Sequence, residues 1–211
     1  MSTTVTELAR LTIKDGLRES HKATLEQSLA RAKKGMEDFT GQKFYMYQEV
    51  ENPNHIYIIG EWASLEQHMK DWIPSEQNQA LLQGLGPLVE VDFLFHLDQR
   101  LGLIPPSQSA PMLGCVKHVM ESAKRPDFER TFINCKNHLE AFTLGPVGAG
   151  WRIEKESDRE EFVLFSPWKD VAEHLAFGKT KDFQEYSKIK DYIMIDATQI
   201  VHIVLMELPL A

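Results

Sequence analysis

The stretch Gly60-Glu61-Trp62-Ala63-Ser64-Leu65-Glu66-Gln67-His68 returns 106 residues later as Ser166-Pro167-Trp168-Lys169-Asp170-Val171-Ala172-Glu173-His174. A step that recurs at such a distance in a chain of 211 residues points to a fold built from two similar halves. In each copy a Trp ends an apolar run and a His follows six residues on. Ser64 and Asp170 stand where a helix N-cap is expected, since their side-chain oxygens can take backbone N–H groups that a helix start leaves unpaired. Leu65, His68, Met69 and Trp72 fall at i, i+3, i+4 and i+7, one stripe of a helix, and Val171, His174 and Leu175 repeat it. Both imidazoles should therefore point with the apolar residues, into a core or a pocket.

The rest of the chain repeats in the same order. Thr6 to Lys14 reads as a strand with Ala9, Leu11 and Ile13 on one face and Leu8, Arg10 and Thr12 on the other. A helix to about Phe39 carries the stripe Leu25, Leu29, Ala32, Met36 and Phe39. Strands follow over Lys43 to Val50 and His55 to Trp62, the latter apolar on both faces and so expected to be covered on both. After the Ser64 helix, a break at Pro74 and a helical piece from Glu76 to Gln83, the strand Val89 to Leu97 closes the first half. Simple alternation there sends Val91, Phe93 and Phe95 one way and Asp92, Leu94 and His96 the other. Residues 99–111, with Gly102 and Pro105-Pro106, read as a linker between a half spanning 1–98 and one spanning 112–211. In the second half, strands are expected over Met112 to Met120, Ala149 to Ser157, Glu161 to Trp168 and Ile200 to Glu207. Its first helix starts near Pro126 and carries Phe128, Phe132, Cys135, Leu139 and Phe142, each 103 residues after its partner. A longer loop at Gly145-Pro146-Val147-Gly148 restores the offset to 106, and a last helical piece runs from about Phe183 to Lys190.

Each half thus reads β-α-β-β-α-β, the ferredoxin-like arrangement, and the fold class is α+β. Helices cover one face of such a sheet, so the other apolar face needs a partner. A second half on the same chain can supply it, sheet against sheet, as an intramolecular α/β-barrel.

With two such halves, each having an aromatic-ended third strand and a Trp-x5-His step into a capped helix, the chain resembles the dimeric α/β-barrel superfamily. Its antibiotic-biosynthesis-monooxygenase-like branch is the nearest, here as a tandem fusion. The resemblance implies a pocket between each sheet and its own helices, lined by the Trp ending the third strand and by the residue six further on. Those positions are Trp62 with His68, and Trp168 with His174. Some members carry an Asn four residues before that Trp, or a polar residue on the helix-facing side of the first strand. This chain places Ile58 and Leu164, then Ala9 and Cys115, at the corresponding positions. Phe93 and Ile203, on the last strand of each half, complete the expected substrate-binding set.

Composition narrows the partners. A net charge of −8 without a long basic cluster disfavours nucleic acid and anionic membrane. No apolar run approaches 18 residues, and the N-terminus has neither the basic start nor the apolar core of a signal peptide. Two cysteines make no disulfide framework, so the cytoplasm is the expected compartment. The eight histidines contain no His-x-x-x-His step and no Cys-x-x-Cys accompanies them, which disfavours a zinc site. The run Gly145 to Gly150 precedes a strand, whereas a phosphate loop leads from a strand into a helix. No metal and no cofactor are therefore expected.

His68 and His174 are the candidate catalytic groups, since an imidazole titrates near neutrality; the alternative is that each simply hydrogen-bonds a nearby strand end. Trp62 and Trp168 either pack or stack on a flat substrate. A secondary set, Asp92, His96, His118 and His202 with Arg10, is expected by strand parity to face the sister sheet, inside the barrel. The expected partners are a small apolar, aromatic or polycyclic substrate and dioxygen, with a homodimer as a further option. The resemblance implies a cofactor-independent monooxygenase of specialised metabolism. The apolar residues Ile58 and Leu164 weigh instead towards a cyclase or isomerase that works by orientation. A non-catalytic ligand-binding or stress-response module is the reading from a different class.

Overall fold

The computed structural model describes residues 4–101, 110–155 and 157–211, so most of the expected linker lies outside the described residues. The chain divides into two units, the first holding the N-terminal residues to Leu101 together with Leu205–Ala211, the second running to Val204.

The first unit contains β1 (Val5–Ile13), α1 (Lys22–Thr40), β2 (Phe44–Glu49), β3 (His55–Trp62), a π-helical turn (Gln67–Trp72), α2 (Glu76–Leu85) and β4 (Val89–Leu97). The strands lie in the order β4-β1-β3-β2, all neighbours antiparallel. Helix α1 ends at Gly41, whose left-handed φ of 70° lets its N–H turn back to the Glu37 carbonyl at 2.8 Å. Its buried face is Leu25, Leu29, Ala32 and Met36, while Phe39, near the C-terminal end, is 37 % exposed. The chain's last segment returns here, Met206 N–H donating to the Met46 carbonyl at 2.9 Å.

The second unit repeats the plan with β5 (Met112–Glu121), α3 (Arg125–Glu140), β6 (Gly148–Trp151), β7 (Arg159–Trp168), α4 (Val171–Phe177), α5 (Lys181–Tyr186) and β8 (Gln199–Leu205), in the order β8-β5-β7-β6. Pro126 occupies the first turn of α3, where its missing N–H costs nothing. Phe128, Phe132, Cys135 and Leu139 form the buried stripe against Trp151, Phe162 and Leu164. Phe128 meets Phe162 edge-on at 5.1 Å and Trp151 at 5.7 Å, geometries that add to plain apolar burial. Both units are ferredoxin-like, as the order of sequence elements predicts. β6 is shorter than predicted, stopping at Trp151 where Ala149 to Ser157 was expected.

Three sequence-level expectations need correction. First, β1 and β5 correspond at an offset of 107 and not 106. Val5 lies opposite Trp62 and Met112 lies opposite Trp168, so Ala9, opposite Ile58, matches Val116, opposite Leu164. Cys115 pairs with Phe165 and faces away from the helices. Second, β4 carries a bulge: Arg10 pairs with Phe93 and Leu11 with Val91, leaving Asp92 as the extra residue. The bulge breaks the two-residue alternation, so Asp92 no longer shares a face with His96. Third, the turn after Trp62 closes i to i+5, with Ile73 N–H on the His68 carbonyl at 2.9 Å. That wider turn buries His68 and Trp72 but leaves Met69 46 % exposed, and Leu175 in the second half is 65 % exposed.

Candidate active site

Each half builds the same ring assembly on the helix-facing side of its sheet. His68 lies flat on Trp62, centroids 4.0 Å apart and planes within 5°, and its Nδ1 meets His96 Nε2 at 2.7 Å. His174 lies on Trp168 at 4.5 Å and 12°, and its Nδ1 meets His202 Nε2 at 2.7 Å. The starts of the following turns are tied as the sequence suggests. Ser64 Oγ accepts from Gln67 N–H at 3.0 Å, and the Asp170 carboxylate accepts from Glu173 N–H at 2.8 Å. His96 and His202 thus stand under the helices as partners of the Trp-stacked imidazoles, and not on the opposite face where parity placed them.

The halves differ in what holds the indole N–H. In the first, Trp62 Nε1 donates to Glu7 Oε2 at 2.7 Å, across from Gly60. In the second, Gly114 stands at the position of Glu7, and Trp168 Nε1 donates to Ser166 Oγ at 2.8 Å. The acid-plus-glycine pair has become a glycine-plus-hydroxyl pair on the same two strands. Space enforces the exchange. A Cβ on Gly60 would lie 2.0 Å from the buried Phe44 ring, and one on Gly114 would lie 3.0 Å from Ser166 Oγ and 3.1 Å from Trp168 Nε1.

Burial then gives the two assemblies different chemistry. Glu7, His68 and His96 are 2 %, 1 % and 0 % exposed, with Glu7 Oε2 3.7 Å from His68 Nε2. Desolvation raises the Glu7 carboxyl to a pKa of about 7, against the lowering effects of the Trp62 hydrogen bond and the nearby His96. The second assembly opens on a cavity of about 270 Å³ between the sheet and the helices of its own unit. Val116, Leu164 and Ile200 form a row across its floor, and Phe177, Phe183 and Ile189 come from the covering segments. The polar side chains reaching it include Ser166, His174 and His118. His118, on β5, is 5 % exposed and packs beside Phe128, and neither ring nitrogen has a hydrogen-bonding partner among the described protein groups. Burial lowers its pKa to about 4, so the ring is neutral near pH 7.

The structure therefore brings together Trp168, His174, His202, Leu164 and His118 in one unit, and Trp62, His68, His96, Ile58 and Ala9 in the other. It separates the remaining expected residues from both assemblies. Phe93 lies on the face away from the helices, against Arg10 and Tyr57. Asp92 is on that same side, accepting from Arg10 Nε at 2.9 Å and Thr12 Oγ1 at 2.6 Å. Ile203, opposite Leu113, and Cys115 also face away from the helices. Glu7, Ser166 and Gly114 were not singled out from sequence. Glu7 had a signal, being a carboxylate in parity with Ala9, Leu11 and Ile13 on an otherwise apolar face. Among the described residues, no three His, Cys, Asp or Glu side chains gather as a metal-ligand set, and no helix is long and apolar enough to cross a membrane.

No known protein-family profile matches the chain, and no curated protein matches it in sequence. Solved structures do match in shape. An anthrone oxidase-like protein aligns over 98 % of this chain and 92 % of its own length, with a TM-score of 0.68 at 10 % identity. A candidate monooxygenase from Fusobacterium nucleatum aligns over 98 % and 94 %, with a TM-score of 0.65 at 13 % identity. A mutant chlorite dismutase from Candidatus Nitrospira defluvii aligns over 100 % and 93 %, with a TM-score of 0.61 at 11 % identity. The fold these structures share with the chain is α+β, built from two ferredoxin-like halves. Identities this low speak to the fold alone.

Proposed function

We propose that the chain is a small-molecule enzyme working in the second-half pocket, and that it oxygenates an aromatic, activated C–H or phenolic substrate without a cofactor. One observation carries the reading: the stacked imidazole His174, backed by His202, borders an apolar cavity, whereas its counterpart His68 is sealed in beside Glu7. An imidazole at an apolar wall can remove a proton from a weakly acidic carbon or phenol and pass charge to the second ring behind it. The electron-rich anion then reacts with dioxygen. For an anthrone-type methylene, the hydroperoxide formed loses water to leave a ketone, so one O₂ yields one product oxygen and one H₂O. The apolar walls favour a flat ring and limit water around the anion. The fold shared with an anthrone oxidase-like protein supports this choice.

The volume limits substrate size. An engineered cavity of about 150 Å³ accommodates benzene, so 270 Å³ suits about two fused rings and not an extended polycycle. Oxygen uptake against a panel of naphthols, phenols and two-ring ketones with an activated methylene tests the proposal. Uptake that is lost in His174→Ala and kept in His68→Ala is expected; no uptake with any of them would overturn it. The apolar positions Val116 and Leu164 favour a second reading, ring closure or isomerisation steered by pocket shape. Turnover that runs equally well without air would establish that alternative.

A further inference from the structure

The pocket floor has polar side chains at both ends. At one end His202, Gly114 and Ser166 are register neighbours beneath His174; at the other, His118 sits opposite Phe162. Between them runs the apolar row Ile200, Val116 and Leu164. Gly114 and His118 are four residues apart on one strand, roughly 13 Å at the usual rise per residue. We propose that this pocket binds an elongated, neutral two-ring ligand with a polar group at each end, one hydrogen-bonded by His118 and the other by His174.

The reading of the pocket as a substrate site is assumed here, and the proposal adds the substrate's shape and its second recognition point. His118 forms the second recognition point. Its side chain lines the cavity and is 95 % withdrawn from solvent, with Phe128 and Phe162 beside it. Burying an imidazole without protein partners is costly, and Leu11 shows that the fold accepts an apolar side chain at the matching position in the first half. Burial keeps the ring neutral, with an N–H donor on one nitrogen and a lone-pair acceptor on the other, and a hydroxyl or an enol can pair with either. A fixed carboxylate would meet a ring that resists protonation. His118 is thus assigned as a specificity residue, while proton removal stays with His174.

Calorimetric titration of the full chain with naphthalene-2,6-diol and with 2-naphthol, under nitrogen so that no turnover intervenes, tests this. The wild type is expected to bind the diol about tenfold more tightly, the effect of one well-made buried hydrogen bond. In His118→Leu that preference should fall below about twofold with 2-naphthol affinity little changed. His118→Gln, which keeps a donor and an acceptor, should retain part of it. Equal affinities in the wild type, an undiminished preference in His118→Leu, or failure of both probes to bind would each overturn the proposal. Binding with the expected preference but no oxygen uptake in air would uphold two-ended recognition and sink the oxygenase reading alone.

Discussion

Replacing Glu7 with Gln should make the first half more stable at pH 8 and remove most of its pH dependence between 5 and 8. Glu7 is completely buried, and its carboxyl titrates near 7 in the folded chain against 4.5 in the unfolded one. Below pH 4.5 both states hold the proton and Glu7 carries no penalty. Between 4.5 and 7 the unfolded chain ionises first, the folded chain binds more protons, and stability falls as pH rises. Above about 7 the penalty is complete, at about 3 kcal/mol for a displacement of this size. Glutamine keeps an oxygen for the Trp62 indole N–H, which Glu7 accepts at 2.7 Å, and has no charge to desolvate. The gain from Glu7→Gln should therefore be under about 1 kcal/mol at pH 5 and about 3 kcal/mol at pH 8. Urea unfolding followed by tryptophan fluorescence at pH 5, 6, 7 and 8 measures it. A variant with the wild-type slope, or one less stable than wild type at pH 8, would show that the carboxyl is ionised at no cost, paired with His68 or His96.

Three further outcomes are expected. His118→Leu should raise the melting temperature, because a buried ring without protein partners gives way to the side chain present at Leu11; the gain is about 1–3 kcal/mol by thermal unfolding, and a lower melting point would contradict it. Gly60→Ala should destabilise by about 3 kcal/mol or more in denaturant titration, since the added Cβ meets the Phe44 ring, itself 0 % exposed; an unchanged midpoint would mean the ring can move. His68→Ala should cost about 2–4 kcal/mol of stability through loss of the Trp62 stack and of the 2.7 Å contact to His96, whereas the half-buried His174→Ala should cost less and remove turnover at least a hundredfold.

The element order of both halves was legible in sequence because it depends on local spacing: His55–Trp62 and Val89–Leu97 fall where the apolar pattern puts them. The stacked Trp–His steps were legible too, in the sense that a His six residues past a strand-ending Trp must share its face. What failed was everything that depends on pairing register. One residue of slip between β1 and β5 moved the match of Ala9 from Cys115 to Val116. The Asp92 bulge parted that residue from His96, and the i to i+5 turn exposed Met69. Period-counting assumes an unbroken strand or a regular helix, and these misses lie where the backbone gains or loses a residue, whereas Leu175 is exposed on a regular α-helix. The trade of Glu7 and Gly60 for Gly114 and Ser166 is invisible for the same reason. The two members lie 53 residues apart in the first half and 52 in the second, and only their cross-strand pairing relates them.

That trade also dictates what it would take to open a pocket in the first half. Opening a hollow beneath His68 takes more than trimming an aliphatic side chain, because the carboxyl anchoring Trp62 would be left facing the new space. Removing it strands the indole unless a hydroxyl arrives on the neighbouring strand, and that hydroxyl cannot fit until Phe44 shrinks. Three coordinated changes, at Glu7, Gly60 and Phe44, thus separate the sealed half from the open one, so single substitutions there should yield weakened proteins well before they yield a second open pocket.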